Sequence, residues 1–435
     1  MGDWSLEDLE EWDSKICDLA SKRGLDWFPI IYETCDYYEM IGNMAYHGMP
    51  SHYSHWSFGK SFERTHQLYN AGMEGLPYEL IINSDPSISY LMRENPLYLQ
   101  VLIMCHCVGH SDFFKNNRMF SKTRPENVVI RFRNAKRRIR DYIEDPSIGI
   151  EKVEEVLDAA HALQFQRPHD LRPRISHGNL KDQYTELIKG DTDGKFKNFD
   201  IEKIPLEPDI NILAFILEHS RNLQDWEQDL IEIVMDEAAY FLPQIQTKIM
   251  NEGWASFWHY RLMGELDLSD SLHIPFIKSH NQVIRPHLGG LNPYHLGFYL
   301  FKKIEERHGI EECFLARECA HDVSFLRQYL TQQDCEDLNL FSFANKKGTY
   351  VVDEISDEEG WKPVKDRLIR NVGAGGIPRI YVREVEVGNI LALEHDHDGR
   401  DLDLDHADEV VMHVSTLWGD VVKLHTVIED EPWEI

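Results

Sequence analysis

The sequence predicts an α+β protein with a large, mainly helical N-terminal domain and a small C-terminal domain of the ferredoxin-like β-α-β-β-α-β type. Apolar residues recur at three- and four-residue steps through most of residues 1–345, which is the period of helices. Over residues 346–435 the pattern changes, and short β-branched runs alternate with two helical stripes. We therefore place a domain boundary between residues 345 and 346.

Several signals define the helical domain. Apolar residues follow Ser5 at helical spacing, and Gly24 ends that segment. The stretch 96–114 is apolar on nearly all sides, which predicts a buried helix. Asn292-Pro293 is a cap followed by a proline in the first turn, and Gly309 ends the helix it starts. Between residues 167 and 208 the periodicity disappears, so we predict a long loop there.

The C-terminal domain is predicted from turns and from the order of its elements. Residues 350–355 and 380–387 have strand composition, and the turn Gly388-Asn389 is one that hairpins favour. Helical stripes over 361–372 and from Asp405 separate the strands, and residues 421–427 supply the last one. This order predicts an independent four-stranded antiparallel sheet with two helices on one face.

Charge and composition exclude several classes of function. The chain has 435 residues and a formal net charge of −30, which disfavours nucleic-acid or anionic-membrane binding, because both need clustered Lys and Arg. The N-terminus lacks the apolar core of a secretory signal, and no apolar run has the length of a membrane span. The seven cysteines include no CxxC pair, as is usual for reduced thiols. We expect a cytoplasmic protein.

The strongest chemical signal is a pair of histidines, His106 and His110, in the predicted buried helix. Residues four apart share a helix face and can bind one metal ion. Gly109 between them costs about 1 kcal/mol of helix stability relative to Ala, which predicts that another part of the chain approaches closely. The alternative interpretation is two core histidines, each with its own hydrogen-bond partner.

A second signal is the segment NEGWA at 251–255, which resembles the glutamate-ligand helix of gluzincin metallopeptidases. His106, His110 and Glu252 would together form a His₂Glu site with an open position, the usual arrangement of a catalytic zinc ion. The helical domain is then zincin-like. We predict one divalent metal, with zinc the best match to these ligands and iron or manganese as alternatives. The general-base Glu of the HExxH motif is replaced by Cys107, so the sequence assigns no catalytic residue.

Three further residues are candidates for a supporting role or for a second metal. His259 lies seven residues after Glu252 and can share its helix face. Asp158 and His161 have the i, i+3 spacing found in helix-bundle di-metal sites. The run 394–400 is rich in Asp and His but lacks the spacing of an EF-hand, so we interpret it as a polar loop.

A basic cluster interrupts this acidic chain between residues 131 and 140. A solvated helix face, or a surface that binds an acidic cytoplasmic protein, fits it better than nucleic acid, given the overall charge. The candidate partner-binding residues are Arg131, Arg133, Lys136, Arg137, Arg138 and Arg140.

Seven stretches resemble signature blocks of the stage V sporulation protein R family. Their combination is specific, and they run from the N-terminal domain to near residue 345. The C-terminal domain matches this family in layout more than in motif. The blocks are HWSFGK at 55–60, YELIINS at 78–84, GHSDFFKNN at 109–117, LDAAHAL at 157–163, TKIMNEGWA at 247–255, NPY at 292–294 and DVSF at 322–325.

The resemblance implies a cytoplasmic protein linked to spore cortex formation in spore-formers. Relatives in bacteria that do not sporulate occur alongside a serine-kinase-like partner and a von Willebrand-type partner, whereas the family supplies no catalytic residues to transfer. Two classes of function stay open. The chain is either a metal-dependent hydrolase or a relative of one, or a non-enzymatic regulator that binds partner proteins and uses its His/Glu cluster structurally.

Overall fold

A computed structural model of the protein describes residues 4–70, 79–169, 184–189, 209–287, 290–346 and 349–435. The chain forms two compact units, which we call unit 1 (Met1–Asp141 with Ala239–Gly376) and unit 2 (Tyr142–Ala238 with Ile377–Ile435). Most of the described residues are helical, and a four-stranded sheet lies near the C-terminus. The predicted combination of a mainly helical chain with a small β-rich C-terminal part is therefore confirmed.

The elements follow one another with few long connections among the described residues. Those from the N-terminus to the middle of the chain are α1 (Leu6–Lys22), β1 (Ile30–Cys35), α2 (Tyr37–Ala45), α3 (Trp56–Asn70), β2 (Glu79–Ile82), β3 (Ser87–Met92), α4 (Leu97–Asn116), α5 (Val128–Glu144), α6 (Ile150–Leu163), α7 (184–189), α8 (Ile212–His219) and α9 (Asp225–Gln246). The helices that follow are α10 (Lys248–Glu265), α11 (Asp270–Val283), α12 (Pro293–His308), α13 (Ile310–Cys319), α14 (Asp322–Tyr329) and α15 (Gln332–Asp337). The remaining elements are β4 (Phe341–Lys346), β5 (Thr349–Ile355), α16 (Trp361–Asn371), β6 (Ile380–Glu386), β7 (Ile390–His395), α17 (Leu404–Trp418), β8 (Val422–Ile428) and β9 (Glu431–Glu434).

The helix ends predicted from capping residues are confirmed. The Ser5 side chain accepts a hydrogen bond from the backbone N–H of Asp8 at the start of α1. Asn292 does the same for Tyr294 at the start of α12, and Gly309 ends that helix with a φ of +89°. The helix predicted to be buried is α4, whose residues from 99 to 114 are all buried. Within the described ranges, no helix is both long enough and apolar enough to cross a membrane.

Three helices in unit 1 pack at unusually short distances. α10 lies between α4 and α12. A Cβ atom added to Gly109 of α4 would lie 2.8 Å from the Cα of Ala255 in α10, and one added to Gly253 would lie 2.4 Å from the backbone of Gly297 in α12. Only residues without a side chain allow backbones to approach this closely. The close approach predicted at Gly109 is thus confirmed, and its partner is the helix that carries Glu252.

The ferredoxin-like prediction is wrong in its strand pairing. β5 pairs antiparallel with β4 in a separate two-stranded sheet, because the preceding run FSFANK also forms a strand. The four-stranded sheet has the order β6-β7-β8-β9, with β7 parallel to β8 and the other pairs antiparallel. β5 and α16 belong to unit 1, and the compact units divide at residues 376 and 377, not near residue 346.

Unit 2 is built around α17. This helix packs against β8 and against α6, and its buried side is apolar. The buried positions of β6, β7 and β8 are also apolar, except for His395 and Thr426, whose side chains are hydrogen-bonded over 2.9 Å. The loop predicted at 167–208 falls mostly outside the described residues. Of the described part, residues 184–189 form α7.

We predict that Gly297→Ala lowers the free energy of unfolding by about 1–3 kcal/mol or more, because the added methyl group meets backbone atoms of α10 that cannot turn away. Gly264→Ala is the matched control. Gly264 is also helical, but an added Cβ meets no atom within 4 Å, so this substitution should stabilise the protein by up to about 1 kcal/mol. Urea unfolding measures both, and equal stability of the two variants would contradict the packing argument.

Candidate metal centre

The crossing of α4 and α10 brings three predicted metal ligands together. His106 and His110 lie on α4, Glu252 lies on α10, and the three are only 2%, 4% and 6% exposed. Among the described residues, they form the one group of at least three His, Cys, Asp or Glu side chains whose ligating atoms all lie within 4.8 Å of one another. A buried group of this composition can hold a metal ion.

The distances between the ligating atoms match the size of a metal ion. His106 Nε2 and His110 Nε2 are 3.0 Å apart, and Glu252 Oε2 lies 3.3 Å from His110 Nε2 and 3.8 Å from His106 Nε2. A triangle with these sides has one point about 2.0 Å from all three atoms. This distance agrees with the length of the bonds that zinc forms with imidazole nitrogen and carboxylate oxygen, which is about 2.0–2.2 Å. The side chains therefore need little movement to share one ion.

The two carboxylate oxygens of Glu252 have different surroundings. Oε1 accepts a hydrogen bond of 2.6 Å from the Lys248 ammonium. Oε2 is buried and faces the two imidazoles, but it accepts no well-aligned hydrogen bond from the described residues. A buried carboxylate oxygen in this position is costly unless a cation or hydrogen bonds compensate it. The donor set and the orphaned oxygen thus fit a divalent cation.

Electrostatics keep Glu252 ready to act as a ligand. Burial alone would raise the pKa of this carboxyl group, but the Lys248 ammonium and, after it, the two imidazoles that face the carboxylate outweigh burial and hold the pKa well below its usual value. Glu252 is therefore ionised at neutral pH, as a metal ligand must be.

A chain of polar contacts orients both imidazoles. His110 Nδ1 donates to Asn251 Oδ1 over 2.8 Å, which leaves the lone pair of its Nε2 directed toward Glu252. His106 Nδ1 lies 2.8 Å from His259 Nδ1, and His259 Nε2 lies 2.7 Å from His280 Nδ1. Contacts of this kind through the second ring nitrogen fix the tautomer and orientation of metal-binding histidines. The sequence singled out His259 but missed Asn251 and His280.

Two buried carboxylates hold α10 in place. Asp322 at the start of α14 accepts hydrogen bonds from the backbone N–H groups of Ile249 and Met250, at 2.9 and 3.0 Å. Burial raises the pKa of Asp322 to about 7 in spite of these bonds. Trp254 donates to Asp112 of α4 over 2.8 Å. These contacts fix both the start of α10 and its distance from α4, and hence the position of Glu252.

The residue that replaces the general base points elsewhere. Cys107 Sγ lies 3.2 Å from Ser89 Oγ on β3. The position that carries Glu in HExxH enzymes is therefore occupied by a side chain that is turned toward β3.

The other candidate residues are not members of this group. Asp158 and His161 are on α6, which belongs to unit 2. In the basic cluster, Arg131 is half-buried and donates to the backbone oxygen of Thr123, whereas Arg133, Lys136, Arg137, Arg138 and Arg140 are exposed. In the run 394–400, His397 Nε2 lies 2.9 Å from Asp401 and Arg400 pairs with Asp398.

We predict that His280 makes stability depend on pH. Burial, with a smaller contribution from His106 and Lys302, lowers the pKa of His280 from 6.5 to about 4. Between these values the unfolded chain binds more protons than the folded chain, so the stability that neutral His280 contributes is present above pH 6.5 and is lost as the pH falls toward 4.

Urea unfolding of the metal-free protein near pH 7.5 and near pH 5 tests this dependence. Between pH 7.5 and pH 5, the free energy of unfolding of the wild type should fall by about 2 kcal/mol more than that of His280→Gln. His308→Gln, which changes an exposed histidine of α12, should lose as much as wild type. Equal losses for wild type and His280→Gln would contradict the argument.

Comparisons with known proteins agree along the whole chain. The family described as "SpoVR like protein" matches residues 3–377, and "SpoVR-like C-terminal domain" matches residues 378–429. A relative from Escherichia coli (strain K12), "Uncharacterized protein YcgB", is 30% identical over 484 aligned positions that cover 100% of this chain and 94% of the relative. No solved structure matches the chain. Because these two family models together match nearly all of its residues, the chain belongs to the SpoVR family.

Proposed function

We propose that the protein binds one divalent metal ion, zinc, through His106, His110 and Glu252, and that it is a metal-dependent hydrolase or a close relative of one. The observation that carries this proposal is the convergence of three buried ligating atoms on a point about 2.0 Å from each. Two imidazoles and one carboxylate are ligands that suit zinc, although iron and manganese accept the same set.

The surroundings of the three ligands support a reactive site. Three protein ligands leave a coordination position for water, and a divalent metal so held lowers the pKa of bound water and polarises carbonyl groups. Glu252 supplies one negative charge. The ammonium of Lys248, whose side chain is 59% exposed, pairs with Oε1 of Glu252, the oxygen that does not face the imidazoles. Asn251 and His259 orient the imidazoles from behind.

One observation favours the second candidate function, a non-enzymatic regulator. Cys107 occupies the place of the general base and contacts Ser89 on β3, so the residue that activates water in HExxH enzymes has no counterpart there. In this case, the metal or the hydrogen-bonded His/Glu cluster fixes α4 against α10 and serves the stability of the domain.

The proposed setting follows from family membership and charge. We propose a cytoplasmic protein that takes part in spore cortex formation in spore-formers and acts with protein partners, among them a serine-kinase-like and a von Willebrand-type protein. The exposed cations of α5, Arg133, Lys136, Arg137, Arg138 and Arg140, remain a predicted docking surface for an acidic partner.

Metal content of protein purified without an affinity tag tests the site. Wild type should carry close to one zinc per chain after incubation with zinc and removal of unbound ions. Glu252→Gln and His110→Ala should each lower the affinity by at least about tenfold, because each removes one of three ligands. Glu359→Gln alters an exposed carboxylate and should leave zinc binding unchanged.

Unchanged zinc binding in Glu252→Gln would overturn the proposed site. The reaction needs its own test, which is incubation of the zinc-loaded protein with a mixed peptide library and detection of cleaved products by mass spectrometry. Cleavage that Glu252→Gln abolishes supports the hydrolase. If zinc binds but no peptide is cut, hydrolysis of peptides is excluded, and the non-enzymatic regulator becomes the better account of the protein.

A further inference from the structure

The hairpin of β4 and β5 in unit 1 has an exposed apolar side. Phe341, Phe343, Val352 and Ile355 are between 44% and 56% exposed. The register places Phe341 opposite Ile355 and Phe343 opposite Val352, so the four side chains lie on one side of the hairpin. The two phenyl rings touch edge to face, with their centroids 5.1 Å apart. We call these four residues the hairpin face.

The opposite side of the hairpin is covered by its own domain. Ser342, between the two phenylalanines, is buried, and α16 packs against both strands. A two-stranded hairpin is marginally stable unless its faces are covered. Single exposed apolar residues are common, but four neighbouring apolar side chains on one face form the kind of patch that marks an interaction site.

A cationic groove borders this hairpin. It has a volume of about 460 Å³ and is lined by Lys362, Pro363, Asp366, Arg367 and Arg370, all exposed on α16. Arg367 joins the groove to the hairpin, since its Nη1 donates to the backbone oxygen of Phe343 over 2.7 Å and its Nη2 lies 3.5 Å from Asp353. Lys362 and Arg370 form no ion pair within the described part of the chain.

We propose that the hairpin face and the α16 groove together bind an acidic, amphipathic segment of a protein partner. The segment would cross the edge of the hairpin at Arg367, which reaches from α16 to the backbone of Phe343. Its apolar side chains would cover the two phenylalanines and Ile355 on one side of that edge, and its carboxylates would pair with Lys362 and Arg370 on the other. Interfaces commonly combine aromatic residues at the centre with a charged rim. This surface lies apart from the three proposed metal ligands, so it does not depend on the metal.

The charge of the surface argues for a different protein as the occupant, not a second copy. The chain has a net charge of −30, yet this groove carries three cations and one carboxylate. In a two-fold symmetric dimer, residues near the axis meet their own copies, so Lys362 and Arg370 would face like charges. An acidic segment from another protein removes that repulsion and neutralises both cations.

Fluorescence anisotropy with a labelled synthetic peptide tests the proposal. The probe alternates Leu and Phe with Glu and Asp, and a matched peptide has Lys in place of every acidic residue. The acidic peptide should bind wild type, and binding should weaken as salt is added. Phe343→Ser and the double variant Lys362→Glu/Arg370→Glu should each weaken binding at least tenfold. Val387→Ser, at a residue that is 98% exposed in unit 2, should not change it.

Several outcomes would overturn the proposal. These are no binding of the acidic peptide, equal binding of the basic peptide, and wild-type affinity in both the Phe343 and the charge-reversal variants. A wild-type dimer in sedimentation equilibrium that Phe343→Ser dissociates would assign the surface to a second copy instead. Circular dichroism checks the fold of each variant. If Phe343→Ser does not fold, the charge-reversal variant decides, since both its substitutions are exposed on α16.

Discussion

The backbone contact between α4, α10 and α12 is the constraint on which the rest of unit 1 depends. Gly109 meets Ala255, and Gly253 meets Gly297, at distances that leave no room for a Cβ atom on any of the three glycines. Because the first of these contacts lies between His106–His110 and Glu252, it sets the separation of the ligands as well as that of the helices. Close packing and the candidate metal centre are thus two consequences of the same small residues.

The buried carboxylate of Glu252 is tolerated because charged and polar groups surround it. Glu252 is buried and ionised because Lys248 reaches in from solvent on one side and two imidazoles face it on the other. Asp322 and Asp112 fix α10 with hydrogen bonds from Ile249, Met250 and Trp254. Polar groups buried around one centre, each oriented by another, are usual where a protein holds a cation.

The sequence predicted helices and ligands better than sheets, for physical reasons. The His106–His110 pair and the caps at Ser5 and Asn292 are local patterns, so spacing alone located them. The β1-β3-β2 sheet was missed because its strands lie in an aromatic, irregular-looking segment and because β1 pairs with β3, which is distant in sequence. β5 was assigned to the wrong sheet because strand composition does not name the partner strand. His280 could not be predicted as part of the site, because it contacts His259 from a different helix and no sequence spacing links the two residues.

The central claim is that His106, His110 and Glu252 share one metal ion, and X-ray absorption spectroscopy at the zinc edge tests it most directly. Zinc-loaded wild type should give a first shell of two imidazole nitrogens and at least one oxygen at about 2.0–2.2 Å. In Glu252→Gln the shell should lose its carboxylate oxygen or the metal altogether. A shell containing sulfur, or one with fewer than two imidazoles, would contradict the account.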